Sequence, residues 1–267
     1  KVFSESLINQ LPVIEYGKLT GILLREDFPV LRKTTRTELL NVPVIIMAGG
    51  RGTRLAPFTD ILPKPLVPVG NKTMLEVIMD EYKKYGISDF YLSLNYKASL
   101  IKAYFEEKKN DYNIEYLIED LPLGTAGALS LIKGKVNRTI FISNCDIIIK
   151  DNYKTLLDFH KASGAMMTIV AAMQHHSIPY GVCDIDNSGT LIKMREKPKL
   201  DFLVNTGMYI IEPEVLGFIP DNKLFNATDL IEMLQAAGKK VAVFPVTEKT
   251  YIDVGDWKEY RDNINRF

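Results

Sequence analysis

The chain has 267 residues, enough for one large α/β domain and a small appendage. Lysine plus arginine and aspartate plus glutamate both number 33, so the formal charge is zero, and neither nucleic acid nor a membrane surface is an expected partner. No apolar run could cross a bilayer, no leader-like segment opens the chain at Lys1, and Cys145 and Cys183 lack metal-type spacing, so a reducing cytoplasm is the expected compartment.

Residues 1–34 read as a unit of their own. Ser4–Gln10 suits the end of a helix, Leu11–Glu15 and Leu19–Leu24 suit two strands joined by a turn at Tyr16-Gly17-Lys18, and Asp27 could cap a last helix through Arg32. Such a hairpin buries too little to stand alone. It needs the main domain, a further segment or a second chain to cover it, which leaves a homo-oligomer open. Residues 35–41 are polar and read as a linker, and 42–267 as the main domain.

The most informative stretch follows. Val44-Ile45-Ile46-Met47-Ala48 suits a buried parallel strand, and Gly49, Gly50 and Gly52 come directly after it. Glycines allow a sharp turn whose successive N–H groups form a concave anion site, and a helix start beyond would add a favourable dipole. Arg54 can fork onto phosphate oxygens, and Lys64, held in a stiff extended segment by Pro63 and Pro65, can add a point charge. The pattern lacks the Gly-Lys-Ser/Thr ending of Walker A and the spacing of the dinucleotide fingerprint. It reads as a polyphosphate cradle formed by Ala48, Gly49, Gly50, Gly52 and Thr53.

Downstream, strands and helices alternate. Helical spacing covers Thr73–Lys84, Ala98–Lys108 and Thr125–Ile132. Phe90–Leu94, Ile114–Ile118 and Thr139–Ser143 suit strands. This order implies a doubly wound, mostly parallel Rossmann-like sheet with ligands at the C-terminal strand ends. The loop Glu119–Gly127 should then lie beside the cradle, with Thr125 as a helix cap. Asp146, ending the strand that leads into Asn144-Cys145, should face the phosphates as a metal ligand. Cys145 reads as a small packed residue. After a helix at Tyr153–Ser163 the pattern becomes mixed or antiparallel: strands at Ala165–Met173 and Val204–Ile211, and a hairpin of Tyr180–Ile185 with Thr190–Met194. His175 and His176 are expected in an exposed turn. Asp229–Ala237 is amphipathic, Lys240–Pro245 suits a strand, and Asp256 suits the cap of a last helix.

Two resemblances sharpen this reading. Gly49-Gly50-Arg51-Gly52-Thr53-Arg54-Leu55 with Pro63-Lys64-Pro65-Leu66 resembles the opening of the sugar-1-phosphate nucleotidylyltransferases, and Tyr251-Ile252-Asp253-Val254-Gly255-Asp256-Trp257 resembles their closing segment. The resemblance implies a reaction between a nucleoside triphosphate and a sugar-1-phosphate that yields an NDP-sugar and pyrophosphate. It implies Mg²⁺ on Asp146 and Asp253, and Arg54 and Lys64 as the catalytic cations. It implies base contacts from the loop containing Glu119, Gly124 and Thr125, and a sugar phosphate held by Lys197. Glu196 and Asn205 would hold sugar hydroxyls, with close backbone access at Gly181. Pro122-Leu123-Gly124-Thr125-Ala126-Gly127 is most similar to the guanylyl branch. No β-helical extension follows before Phe267, so acyltransferase activity is not expected. The second resemblance is Leu11–Glu15 with Gly17–Asp27, which is similar to half of a CBS repeat, a module that often binds adenine nucleotides. Together they point to CBS-linked guanylyltransferases acting on glucosamine-1-phosphate, of the legionaminic acid type, with mannose- and heptose-1-phosphate as competing substrates and a nucleotide-sensing regulator as the non-enzymatic alternative.

Overall fold

A computed structural model describes residues 10–15, 18–24, 39–108 and 112–263. In the N-terminal part, β1 (Gln10–Glu15) and β2 (Lys18–Leu24) pair antiparallel as the sequence predicts, with an irregularity at Val13/Ile14. The turn residues Tyr16 and Gly17, the expected helix before Gln10, and Asp27–Arg32 lie outside the described residues. Within 35–41, Leu40 is buried and its N–H donates to Tyr85 O at 2.9 Å.

The remaining strands are β3 (Val44–Met47), β4 (Pro68–Val69), β5 (Lys72–Thr73), β6 (Asp89–Leu94), β7 (Asn113–Ile118), β8 (Ile140–Asn144) and β9 (Ile147–Ile149). They continue with β10 (Met167–Ser177), β11 (Val182–Ile185), β12 (Leu191–Arg195), β13 (Lys199–Ile211), β14 (Val241–Val246) and β15 (Tyr251–Asp253). Seven of them form one sheet in the order β14-β10-β13-β8-β3-β6-β7. Its pairs are parallel except where β13 lies between β10 and β8. Alternation along the central strands sorts side chains to two cores: Val44, Ile46 and Phe141 face one, Ile45, Ile140 and Ile142 the other. Both faces are therefore covered, as a parallel sheet requires. The helices are α1 (Phe58–Ile61), α2 (Met74–Lys83), α3 (Ala98–Glu107), α4 (Gly124–Gly127), α5 (Tyr153–Ser163), α6 (Ala227–Ala236) and α7 (Trp257–Asn263). Helix α2 starts at a capping box, with the Thr73 hydroxyl accepting from the Glu76 N–H and the Glu76 carboxylate accepting from the Thr73 N–H. It buries Met74, Leu75, Ile78, Met79 and Tyr82, the stripe expected from the sequence. No helix among the described residues is long and apolar enough to cross a membrane.

Several expectations need correction. The predicted helix Thr125–Ile132 is the single turn α4 followed by a 3-10 turn, Ala128–Ile132. The N–H groups of Ala126 and Gly127 both donate to Phe225 O, at 3.0 and 2.8 Å, and a Cβ on Gly127 would stand 2.6 Å from Lys223 O. The segment is bent to fit its neighbour at the expense of helical regularity. Thr125 does not cap its own helix; its hydroxyl accepts from the Ala227 N–H at 2.9 Å and so serves the first turn of α6. His175 and His176 are exposed, as expected, but they sit on β10 rather than in a turn. Strands β10 and β13 run on together to the pair Ser177↔Lys199, several residues past the predicted ends. Beyond Met173 the pair is largely exposed: residues 174–177 carry no apolar side chain, and Leu200 and Phe202 alternate on β13 without an apolar partner on β10.

Candidate active site

The site is built at the C-terminal ends of β3, β6 and β8. As β3 ends, the Ala48 N–H donates to Ser93 O at 2.9 Å, which keeps the chain on the sheet edge for one more residue. Ala48 is buried behind the loop it carries. The chain then turns through Gly49–Gly52. Gly52 is left-handed (φ 66°), and a Cβ there would lie 2.8 Å from Lys64 Cβ and 3.0 Å from Thr59 Cγ2. Thr59 fastens the turn by donating its hydroxyl to Gly52 O at 2.9 Å, while Leu55 anchors its far side in the core. Two expectations fail here. The turn is followed by Thr53–Leu55, a 3-10 turn, and the four-residue α1, so no long helix lends its dipole. Lys64 is not extended either: Pro63 is, and Lys64 opens the 3-10 turn Lys64–Leu66. Proline fixes the entry, but the lysine itself is free to adopt helical angles.

That turn buries Lys64 and delivers its Nζ to within 2.5 Å of Asp146 Oδ2. Arg54 approaches the same oxygen at 4.0 Å, its side chain 68% exposed to the cleft. Asp146 stands between β8 and β9, and β9 pairs antiparallel with β15, placing Asp253 opposite Ile147. The Val254 N–H donates to Asp146 O at 2.9 Å, closing the corner. Gly255 then reveals how near the parts are. A Cβ on Gly255 would lie 2.8 Å from Asp146 Oδ2, 2.9 Å from Asp253 Oδ1 and 3.4 Å from Arg54 Nη2. Asp253 is oriented by the Gly255 N–H on Oδ1 (2.6 Å) and the Tyr251 hydroxyl on Oδ2 (3.1 Å). Burial pushes the Asp253 carboxyl above its ordinary range, against the Gly255 N–H, and the charge of Asp146 adds to the rise. Two carboxylates brought together beside Gly255 suit a hard divalent cation, which takes oxygen ligands and commonly needs only one or two carboxylates beside substrate phosphates. No cluster of three or more His, Cys, Asp or Glu ligands occurs among the described residues. Cys145, next to Asp146, is buried with its thiol pushed up to about 12, first by burial and then by the Asp146 charge. It packs and does not act as a nucleophile.

Across the cleft, Glu119 is buried at the end of β7. Its Oε1 accepts from the Ser93 hydroxyl, and its Oε2 accepts from the Leu123 N–H at 2.8 Å. A Cβ on Gly49 would stand 2.8 Å from Oε1, so the glycine loop rests directly against this carboxylate. The resulting cleft has a volume of about 330 Å³. Gly49, Gly50, Gly52, Thr53, Arg54, Lys64, Glu119, Pro122, Gly124, Thr125 and Asp146 line it, together with Met47, Asn144 and Cys145. The predicted nucleotide-side residues except Ala48 therefore meet around one space, with Asp253 at its edge beside Asp146.

The four sugar-side residues lie outside that lining, and Asn205 makes its contacts apart from the other three. Gly181 faces Glu196, whose Oε2 is 3.1 Å from where a Cβ would stand. Lys197 has a left-handed backbone (φ 43°) and donates its N–H to Tyr180 O at 3.3 Å. Asn205, on β13, donates to the Tyr209 hydroxyl at 2.7 Å and accepts from the Gly207 N–H at 3.1 Å. Ser93 and Tyr251, which hold Glu119 and Asp253, were missed by sequence reasoning, as were the lining residues Met47, Pro122 and Asn144. A lone serine in the apolar run Phe90–Leu94 and a tyrosine two residues before an aspartate were the available signals.

Comparison with known proteins gives the family. The family model described as "Nucleotidyl transferase" matches residues 43–266. The chain belongs to the nucleotidyl transferase family. It is 35% identical over 237 residues to a mannose-1-phosphate guanyltransferase of Saccharomyces cerevisiae, an alignment covering 81% of this chain and 62% of that one. It is 33% identical over 230 residues to the mannose-1-phosphate guanylyltransferase catalytic subunit beta of Dictyostelium discoideum, covering 84% and 64%. The chain thus spans less than two thirds of the length of these relatives. Among solved structures, HddC from Yersinia pseudotuberculosis superposes with a TM-score of 0.66 at 26% identity, covering 85% of this chain and 99% of that one. The same protein is also known complexed with GMP-PN, at 25% identity.

Proposed function

We propose that the domain transfers a nucleotidyl group from a nucleoside triphosphate, GTP in preference, to a sugar-1-phosphate. An oxygen of the sugar phosphate attacks the α-phosphorus in line. The bond from that phosphorus to the oxygen bridging to the β-phosphate breaks, and pyrophosphate leaves with the electron pair. The nucleophile is already anionic near neutral pH, so no general base is needed; the barrier is the repulsion between two anions. The glycine loop would receive the β- and γ-phosphates. Arg54, exposed to the cleft, would stabilise charge on the departing pyrophosphate, and Lys64 would act toward the α-phosphate while holding Asp146 in place. Asp146 and Asp253 would hold Mg²⁺, which supplies charge neutralisation when bound. Lys197 would pair with the sugar phosphate, and Glu196, Asn205 and Gly181 would meet the sugar. The observation that carries this reading is the convergence of Asp146, Asp253 and Arg54 on Gly255.

For the base, Glu119 offers acceptors to the two adjacent donors of guanine, N1–H and the 2-amino group. The names of the relatives and the GMP-PN complex of HddC favour the same nucleotide. For the sugar, the CBS-like residues 11–27 favour glucosamine-1-phosphate, in a protein where residues 1–34 form a CBS-derived piece joined by 35–41 to the catalytic domain. The relatives' names favour mannose-1-phosphate as the second reading. Incubating the protein with Mg²⁺ and each triphosphate against a panel of sugar-1-phosphates, and following pyrophosphate release, decides among them. Release with GTP and one sugar supports the reading. Preference for UTP or dTTP overturns the guanylyl part, and no release with any pair favours a nucleotide sensor.

A further inference from the structure

The geometry points to Ser93 as the residue that sets base discrimination, by fixing the plane of the Glu119 carboxylate. This rests on the guanylyl reading above. Ser93 is fully buried at the end of β6, opposite Met47 of β3, and makes no contribution to the cleft lining. Its carbonyl accepts from the Ala48 N–H at 2.9 Å, and its hydroxyl donates to Glu119 Oε1. The backbone of Glu119 is pinned from the same strand: its N–H donates to Leu94 O at 2.9 Å and its carbonyl accepts from Asn95 Nδ2 at 2.8 Å. From the opposite side the Leu123 N–H donates to Oε2 at 2.8 Å, and Gly49 closes over Oε1.

A carboxylate has about four acceptor positions, two on each oxygen. Ser93 and Leu123 each occupy one, on different oxygens, so one remains on each. Held this way the group presents a parallel pair of acceptors. Guanine offers two adjacent donors to such a pair. Adenine places an acceptor at N1, and uracil and thymine offer a single N–H donor at N3. A carboxylate that could swing about its Cγ–Cδ bond would lose this contrast, because a rotated oxygen could serve one donor of any base. The hydroxyl on Oε1 is therefore a positioning group. It touches no base, but it stops rotation about the anchor at Leu123, and it ties that stop to the strand carrying the phosphate loop. Base loop and phosphate loop are thereby set at one spacing through a single residue, whose carbonyl holds one and whose hydroxyl holds the other.

The test compares kcat/KM for GTP and for ITP, which lacks the 2-amino group, with one sugar-1-phosphate in the full chain. Ser93→Ala should lower the GTP:ITP ratio about tenfold, chiefly through KM for GTP, as expected for one lost hydrogen bond to a charged group. Ser93→Cys, nearly isosteric and a weak donor, should lower it in the same sense, which keeps the test open if the alanine variant folds poorly. Ser93→Thr keeps the hydroxyl and should restore the ratio. In a Glu119→Ala background, Ser93→Ala should change the ratio no further. Equal losses for GTP and ITP, or a ratio unchanged in both the alanine and cysteine variants, would overturn the assignment while leaving a GTP-preferring enzyme intact. A wild-type protein that prefers UTP to GTP would remove the guanylyl reading and this inference together.

Discussion

Replacing Gly255 by alanine tests the convergence of the site with one methyl group. Gly255 lies outside the left-handed region, so alanine brings no backbone penalty there, and the effect is steric. The new carbon would stand 2.8 Å from Asp146 Oδ2 and 2.9 Å from Asp253 Oδ1, against an ordinary carbon–oxygen contact of roughly 3.4 Å or more. Both oxygens must retreat by about half an ångström, and neither is free to do so: Asp146 is paired with Lys64, and Asp253 is tied to Tyr251 and to the Gly255 N–H. Overpacking of this size costs roughly 1–3 kcal/mol of stability. The functional loss should be larger, because the methyl collides with both carboxylates assigned to the metal. Pyrophosphate release should fall by on the order of 10²–10³-fold, as for loss of one preorganised charge contact in an active site. Mn²⁺ titration followed by electron paramagnetic resonance should show weakened binding in the same variant, with urea unfolding as the control for stability. A Gly255→Ala protein that binds Mn²⁺ as tightly as wild type and turns over within threefold of it would refute the placement of the two aspartates around one ion.

Four further outcomes follow from the same structure. Lys64→Met should lower turnover by on the order of 10²–10³-fold and also destabilise the fold by about 2–3 kcal/mol. That stability loss lies below the range for a fully buried orphaned charge because Asp146 borders the cleft and Arg54 stands 4.0 Å away; turnover and urea midpoints near wild type would contradict it. Tyr251→Phe removes the hydroxyl on Asp253 Oδ2 and should weaken Mn²⁺ binding by on the order of tenfold, with secondary structure unchanged by circular dichroism. Thr125→Val removes the acceptor for the Ala227 N–H and should cost about 1 kcal/mol in urea unfolding. His160 is buried between Thr168 and Glu212, and burial lowers its pKa below the usual 6.5, against the pull of Glu212. A His with a depressed folded pKa favours the neutral form on folding. Its stabilising contribution is full above about pH 6.5 and falls as the pH drops from there through the folded value. His160→Gln should flatten the decline in urea stability between pH 7.5 and 5.5; an unchanged slope would count against that role.

The central sheet was legible because its strands are buried on both faces, so apolar runs such as Val44–Met47 and Ile140–Ser143 carry the signal alone. The glycine loop was legible because a turn with a left-handed residue tightly packed on Lys64 leaves only glycine at position 52. Where solvent replaced the core the signal weakened: β10 carries no apolar residue beyond Met173, so the partner that would have confirmed Leu200 and Phe202 as strand was missing, and both lengths were underestimated. The bend at Gly124–Gly127 depends on the carbonyl of Phe225, a long-range hydrogen bond that no local window contains. The meeting of Asp146 with Asp253 depends on the pairing of β9 with β15, two three-residue strands too short to read from sequence. That meeting was expected only from a family resemblance. The burial of Lys64 against Asp146 came from a 3-10 turn where Pro63 and Pro65 had suggested extended chain.

The central claim is that these convergent charges move a nucleotidyl group between two anions. It is tested most directly by incubating the protein with GTP labelled at the α-phosphate, Mg²⁺ and the sugar-1-phosphate panel, and following where the label goes. The account predicts label in a nucleotide sugar with an equal amount of pyrophosphate released. Label recovered as GMP, or left in GTP with every sugar phosphate, would contradict it.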